Sequence, residues 1–308
     1  RGFAPDAEIH ACKLFPGGQV SQLIDALEYC IEHQVDVVNL SLGGAEPSEA
    51  LEQQILRAKR AGIACIVAAG NSGGPVQYPA SSPNVLAVAA IGKLDEFPPD
   101  SYLAETLTQG VDANGYFPAK FSCSGPQVAV CGPGVAIAST VPPNNYAAWD
   151  GTSMAAPHIT GLAALVLAHH PDFQGAFRMR SAERVERLFQ VLKMSARRVS
   201  LGDQFQTGLG LPDALVAVGL QAQPQAHAGA QPGQGILPQQ AMGPAGGIAN
   251  IAGFGGIGGR GGSLELFGMD PAMAAYASLA EGGYPQQMMQ RFGQVQGIPF
   301  GIGAPGYR

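Results

Sequence analysis

The run at residues 150–158, Asp-Gly-Thr-Ser-Met-Ala-Ala-Pro-His, constrains the fold of this chain more than any other feature. It leads directly into an apolar stretch at residues 159–168, and so predicts a serine at the start of a buried helix. The glycine permits a close backbone approach, and either Thr152 or Ser153 can cap the helix. A hydroxyl at a helix N-terminus lies where N–H groups and the helix dipole favour a developing negative charge. The run therefore predicts a nucleophilic Ser153, with an ordinary capped core helix as the simpler alternative.

A second segment favours the nucleophile over the ordinary helix. Residues 63–74 form an apolar run that ends in Gly-Asn-Ser-Gly-Gly, a pattern typical of a buried strand with Asn71 at its carboxyl end. In open α/β sheets, ligand sites form at that end of the strands. Asn71 is therefore a candidate amide donor, although an asparagine chosen for its tolerance of turn geometry would give the same pattern.

Residues 7–44 show the patterns of a strand, a helix and another strand. Residues 7–15 predict a strand, and residues 20–33 carry apolar side chains at helical spacing. Residues 35–44, Val-Asp-Val-Val-Asn-Leu-Ser-Leu-Gly-Gly, predict a second strand that runs into a glycine turn. This alternation is typical of an α/β fold.

Together, the three blocks closely resemble segments of the subtilisin-like serine peptidases, the subtilases. The resemblance covers residues 1–220 and implies a three-layer α/β/α domain with a mostly parallel sheet. It implies a serine endopeptidase that forms an acyl-enzyme on Ser153, with Asn71 donating an N–H to the oxyanion. The α/β-hydrolase elbow does not fit, because it needs glycine where this chain has Ala155.

The resemblance also implies which residues line the substrate cleft. Ser41, Leu42 and Gly43 would lie beside the substrate residue that precedes the scissile bond, and Ala69 and Gly70 would belong to the same cleft. Glycine suits such a wall because a peptide backbone must approach it closely. A polypeptide is thus the expected partner. The same residues can also simply end a strand.

The pattern lacks a catalytic base. Subtilases supply one from Asp-[Ser/Thr]-Gly and His-Gly-Thr-His segments, and the 308 residues contain neither. His158 belongs to the nucleophile motif and is assigned a packing role. Because residues 2–7 resemble the family's link from the histidine helix to the next strand, we expect an N-terminally truncated domain that lacks its first strands. The chain alone is then expected to be inactive.

Two alternatives to an enzyme stay open. The first is a non-catalytic, subtilase-like peptide-binding module that adds an extended peptide along residues 41–43. The second is a fragment with no stable fold. An Asp and a His of the family pattern encoded upstream of Arg1 would favour the enzyme, and their replacement would favour the binding module.

Charge and composition limit the kinds of partner that this chain can have, and the resemblance indicates a location. A net charge of −6 argues against a nucleic-acid partner, and no apolar run is long enough to predict a transmembrane helix. The resemblance favours a secreted or cell-envelope location. Residues 221–308 hold about half of the 43 glycines, with Pro, Gln and few charges, and predict a disordered, low-complexity tail.

The sequence requires neither a cofactor nor a disulfide. Cys12, Cys30 and Cys65 lie in apolar contexts and are predicted core residues, whereas Cys123 and Cys131 are either free or paired across a short loop. Some subtilases bind a cation through carbonyl groups in the loop that matches residues 78–85. That loop holds no carboxylate here, so Ca²⁺ is only an optional ligand.

Overall fold

The computed structural model describes residues 2–44, 46–97, 110–199 and 203–220. Its helices are α1 (Val20–Glu32), α2 (Glu49–Arg60), α3 (Thr152–His169), α4 (Pro171–Gln174), α5 (Ala182–Met194), α6 (Gln204–Thr207) and α7 (Ala214–Ala217). Its strands are β1 (Val37–Leu40), β2 (Ala64–Ala68), β3 (Leu86–Lys93), β4 (Tyr116–Pro118), β5 (Val128–Pro133), β6 (Ile137–Val141), β7 (Asn145–Trp149), β8 (Ala196–Arg197) and β9 (Leu211–Pro212). The predicted tail at 221–308 lies outside the described residues.

Four parallel strands form the centre of the domain. β2 pairs with β1 and with β3, and β3 also pairs with β5, all in parallel. β4 joins the same sheet antiparallel to β3. Every side chain of β2 is buried, as expected for a strand that is covered on both faces. The predicted α/β class with a mostly parallel sheet is confirmed.

Alternate residues of β2 enter two different hydrophobic cores. Ile66 packs with residues of α3 and α5. Cys65 and Val67 pack with residues of α1 and α2. Because successive side chains of a strand point to opposite faces, helices cover the sheet on both sides. The arrangement is therefore three-layered, as the resemblance implied.

The helix predicted at 20–33 is present as α1, and its apolar spacing buries Leu23, Leu27 and Cys30. α3 is apolar on nearly all sides because it lies across the sheet, in contact with β1, β2, β3 and β5. In the part of the chain that the structure describes, no helix is long and apolar enough to span a bilayer.

The strand predicted at residues 7–15 is wrong. This segment is irregular and mostly exposed, and the side chain of Ile9 is 85% exposed. A strand requires a neighbour to accept and donate its backbone hydrogen bonds. Within the described residues β1 pairs only with β2, and residues 7–15 have no strand beside them. The apolar pattern was therefore not sufficient to make a strand.

Candidate active site

Three chain segments meet at one edge of the sheet. β1 and β2 are parallel neighbours, so Ser41 at the end of β1 and Asn71 after β2 lie at the same edge. The N-terminus of α3 reaches this edge from one face of the sheet. The structure thereby brings Ser41, Asn71 and Ser153 together although they are far apart in sequence.

The side chain of Asn71 is held in one orientation by Thr152. Its Oδ1 accepts a hydrogen bond from the Thr152 backbone N–H at 2.9 Å and another from the Thr152 hydroxyl at 2.8 Å. A backbone N–H can only donate, so the oxygen end of the amide must face Thr152. The nitrogen end, Nδ2, lies 3.3 Å from the position that a Cβ would occupy at Gly151. The Ser153 backbone nitrogen lies 3.6 Å from the same position, so the nitrogen end of the amide lies beside the start of α3.

The expectation that Thr152 or Ser153 caps α3 is wrong. The N-cap residue is Gly151, at φ 156°, which has no side chain to cap the helix, and the first N–H of α3, that of Thr152, is bonded by Asn71. The Thr152 hydroxyl instead accepts a hydrogen bond from the Gly70 N–H at 3.1 Å while it donates to Asn71. Thr152 therefore connects the loop after β2 to the helix, and it is fully buried.

Ser153 is the second residue of α3 and is half-buried. Its Oγ lies 3.4 Å from the carbonyl oxygen of Ser41. The first turn of a helix leaves backbone N–H groups without an intrahelical acceptor, and the helix dipole is positive there. No acidic residue lies in this first turn. The hydroxyl therefore lies where a negative charge on a reacting group would be stabilised.

The remaining predicted cleft residues are placed beside this point but are largely buried. Leu42 is 5% exposed, and Gly43 is buried. Ala69 is buried, and its N–H and C=O bond to β3 and to the chain at residue 77. Gly70 likewise uses its N–H on Thr152 and its C=O on residue 123. Ala69 and Gly70 can therefore shape a cleft, but their backbone groups are already hydrogen-bonded within the chain.

None of the described histidines is hydrogen-bonded to Ser153 in the structure. His158 bonds through Nδ1 to the Met154 carbonyl at 2.8 Å, and its ring packs edge-on against Phe3 with the centroids 5.6 Å apart. This is the packing role that the sequence predicted. The other described histidines lie around α1 or at the end of α3: His10, His33, His169 and His170. His227 lies outside the described residues.

Asp150 immediately precedes this site and was not singled out from the sequence. Its Oδ1 accepts the Ala136 N–H at 2.7 Å. Burial raises the pKa of Asp150, and the hydrogen bond from Ala136 opposes that rise.

Two further residues that the motifs did not indicate, Asn39 and Thr160, connect β1 to α3. The available signal for Thr160 was its position two helical turns after Ser153, on the same face.

The loop at 78–85 is held by protein groups. The carbonyls of Tyr78 and Pro79 accept hydrogen bonds from N–H groups at residues 44 and 82. Glu52 reaches the loop from α2 and accepts from Ser82 Oγ and Asn84 Nδ2, each at 2.8 Å. Within the described residues, no group of three His, Cys, Asp or Glu side chains is arranged to hold a metal. Optional Ca²⁺ binding by this loop stays a prediction.

All five cysteines are free thiols. Cys30 and Cys65 are buried as predicted, but Cys12 is exposed, so its assignment to the core is wrong. The reason is that Cys12 lies in the segment at 7–15, which is not a strand. Cys123 and Cys131 are both buried and do not form a disulfide with each other. Of the two alternatives, free thiols and a disulfide across a short loop, the first is therefore correct.

Comparison with known proteins identifies the family to which this chain belongs. The profile of the Subtilase family matches residues 1–211, well over half of the chain. The chain is 37% identical over 183 residues to subtilisin E of Bacillus subtilis strain 168, which covers 57% of this chain and 42% of that protein. It is 34% identical over 218 residues to subtilisin DY of Bacillus licheniformis, which covers 68% of each. The chain belongs to the subtilase family of serine proteases.

The fold agrees with this family. A solved protease from Pseudoalteromonas arctica superposes with a TM-score of 0.51 at 24% identity, over 66% of this chain and 59% of that one. The match to subtilisin E spans less than half of that protein's length.

Proposed function

We propose that this chain carries the nucleophile half of a subtilisin-type serine endopeptidase site. In this proposal Ser153 attacks the carbonyl carbon of a peptide bond and forms an acyl-enzyme, which water then hydrolyses. The observation that carries the proposal is the contact between Asn71 and the start of α3. Thr152 holds the Asn71 amide by its oxygen, and the amide nitrogen lies beside Gly151, two residues before Ser153.

The oxyanion would be stabilised by two donors, the Asn71 side-chain N–H and the Ser153 backbone N–H. The second belongs to the first turn of α3, where N–H groups have no intrahelical acceptor. Donors fixed before the reaction stabilise charge in the transition state without reorganisation. Ser41, Leu42 and Gly43 would form one wall of the substrate cleft, and Ala69 and Gly70 would shape its floor.

Activation of Ser153 requires a base, and the described histidines do not supply one. We therefore expect the 308-residue chain to show only residual hydrolysis of a peptide substrate and slow labelling of Ser153 by a phosphonofluoridate. The chain with any residues encoded upstream of Arg1 should hydrolyse the substrate and label stoichiometrically at Ser153. Mass spectrometry of the labelled peptide gives the site, and Ser153→Ala should abolish both signals. Ser139→Ala, on the exposed part of β6, is the matched control.

None of the histidines in the described part of the chain is hydrogen-bonded to Ser153, which also favours a second candidate, the peptide-binding module. In that case both forms would bind a peptide along residues 41–43 without cleaving it, and neither would label at Ser153. Rapid hydrolysis by the 308-residue chain that Ser153→Ala abolishes would contradict the missing base.

A further inference from the structure

Polar side chains of β1 and α3 form one continuous chain of hydrogen bonds. The Thr160 hydroxyl lies 3.1 Å from Asn39 Oδ1, and Asn39 Nδ2 lies 2.9 Å from Ser41 Oγ. Ser41 Oγ lies 2.8 Å from the carbonyl oxygen of Ser153. Thr160 also reaches the Ala156 carbonyl at 3.0 Å. This series of hydrogen bonds thus begins on α3 at Thr160, passes through Asn39 and Ser41 and returns to α3 at Ser153.

Pro157 explains why the Ser153 carbonyl needs this donor. In an α-helix the carbonyl of residue i accepts from the N–H of residue i+4, and here that residue is Pro157, which has no N–H. The Ser41 hydroxyl takes the place of the absent helical donor. Without it, a half-buried carbonyl would lose its hydrogen bond within the protein.

The Ser153 carbonyl, at the end of this series of hydrogen bonds, fixes which group donates in the bonds before it. A carbonyl only accepts, so Ser41 donates its single proton to Ser153. The group of Asn39 that faces Ser41 must then be the donating NH₂, which leaves the amide oxygen facing Thr160. The Thr160 hydroxyl has one proton and two acceptors, Asn39 Oδ1 at 3.1 Å and the Ala156 carbonyl at 3.0 Å, so it shares that proton between them. The bonds from Asn39 to Ser41 and from Ser41 to Ser153 point the same way, as does the share of the Thr160 proton that reaches Asn39, and successive hydrogen bonds in such an arrangement strengthen one another.

We propose that Thr160 and Asn39 are positioning residues that act through Ser41 to hold Ser153 at the cleft edge of β1. We call these three residues the Thr160–Asn39–Ser41 clamp. The proposal rests on the proposed role of Ser153 as the nucleophile. Because the Ser153 Oγ also lies beside the Ser41 carbonyl, the clamp sets the distance between the nucleophile and the cleft wall. Small displacements of a reacting group cost large factors in rate.

The test uses the 308-residue chain extended at its N-terminus by any residues that are encoded upstream of Arg1. Thr160→Val removes the hydroxyl at nearly constant volume, Thr160→Ser restores it, and Thr140→Val on the exposed part of β6 is the matched control. Phosphonylation of Ser153 and kcat for a peptide substrate should fall about three- to tenfold in Thr160→Val, the effect of one neutral hydrogen bond. KM should not change. Thr160→Ser should recover the rate to within about twofold, and Thr140→Val should match the wild type.

Several results would overturn the clamp while leaving the nucleophile in place. If the wild type labels at Ser153, three results would do so. They are an unchanged labelling rate in Thr160→Val, a loss of rate that Thr160→Ser does not recover, and a change that affects KM alone. If the wild type does not label at Ser153, the proposed function fails, and hydrogen exchange decides on the clamp alone. The amides of Met154 and Ala155, which bond to the Gly151 carbonyl, should then exchange faster in Thr160→Val than in Thr140→Val. Equal exchange would overturn the clamp.

Discussion

At the scale of single residues, the site depends on side chains that orient other side chains. Thr152 is the clearest example, because its hydroxyl accepts from Gly70 and donates to Asn71 while its own N–H also binds Asn71. A β-branched threonine has few rotamers, so this arrangement costs little entropy to maintain. The direction of the Asn71 amide is therefore a property of the threonine as much as of the asparagine.

Asn71→Ala should lower kcat by about 10²–10³ and leave KM nearly unchanged, in the chain with any residues encoded upstream of Arg1. The magnitude is the one known from subtilisin itself for the loss of an oxyanion donor. The reason is that the amide would donate mainly to the transition state, so its removal spares substrate binding. Steady-state kinetics on a peptide substrate provide the measurement.

Asn114→Ala is the control for this substitution, since Asn114 is exposed in the turn that precedes β4. An Asn71→Ala variant that raises only KM, or that turns over at the wild-type rate, would show that Asn71 serves the turn and not the oxyanion.

At the scale of elements, the hairpin of β6 and β7 sets where α3 begins. The Gly151 N–H donates to the Gly134 carbonyl, and the Asp150 carboxylate accepts from the Ala136 N–H. Both bonds join the chain just before the hairpin to the chain just after it. The ends of the hairpin are thereby tied together, and Ser153 follows only two residues later. The Asp150 carboxylate that makes one of these bonds is half-buried.

Asp150→Asn should make the protein more stable than the wild type near neutral pH. Burial raises the folded-state pKa of Asp150 above its unfolded value, so ionisation is less favourable in the folded chain. The contribution of the carboxyl to stability is full below the unfolded pKa of about 3.9 and is lost as the pH rises through the folded pKa. The advantage of Asp150→Asn should therefore grow as the pH rises above about 4 and level off above the folded-state pKa.

Urea unfolding at a series of pH values measures this difference. Asp150→Ala is the companion variant, because it removes the acceptor for the Ala136 N–H as well as the charge and should be less stable than Asp150→Asn. An Asp150→Asn advantage that shrinks as the pH rises would contradict the argument.

At the scale of the whole molecule, buried thiols report on two of the hydrophobic clusters. Cys30 and Cys65 belong to the core under α1 and α2, whereas Cys131 packs with residues of β3 and β5. Burial raises the pKa of Cys30 to about 11 and that of Cys65 to about 12. Burial also raises the pKa of Cys131. The thiolate is the reactive form of cysteine. These thiols are therefore protected in two ways, because burial keeps reagents away from them and also keeps them protonated.

In the native protein near pH 8, one thiol should therefore react rapidly with an aromatic disulfide reagent, and it should be Cys12. The other four should react only as the protein unfolds. Absorbance of the released aromatic thiol counts the groups, and Cys12→Ser should remove the fast phase. A fast phase of two or more thiols would mean that at least one core is open to solvent.

What the sequence determined by itself was local: the strand β2, the helices α1 and α3, and the candidate residues Asn71 and Ser153. Each of these lies within a contiguous run whose apolar spacing specifies one element. Residues 7–15 show the limit of that information, because their strand needed a neighbour that the pattern does not include.

Only the tertiary structure decided which atoms meet at the site. Thr152 lies 81 residues after the Asn71 that it orients, and Thr160 lies 121 residues after the Asn39 to which it bonds. These contacts exist because β1, β2 and α3 converge at one edge of the sheet, and that convergence is a result of packing. Pro157 joins the two levels: its missing N–H can be read from the sequence, but only the packing of α3 against β1 brings the Ser41 hydroxyl to the carbonyl that the proline leaves without a helical donor.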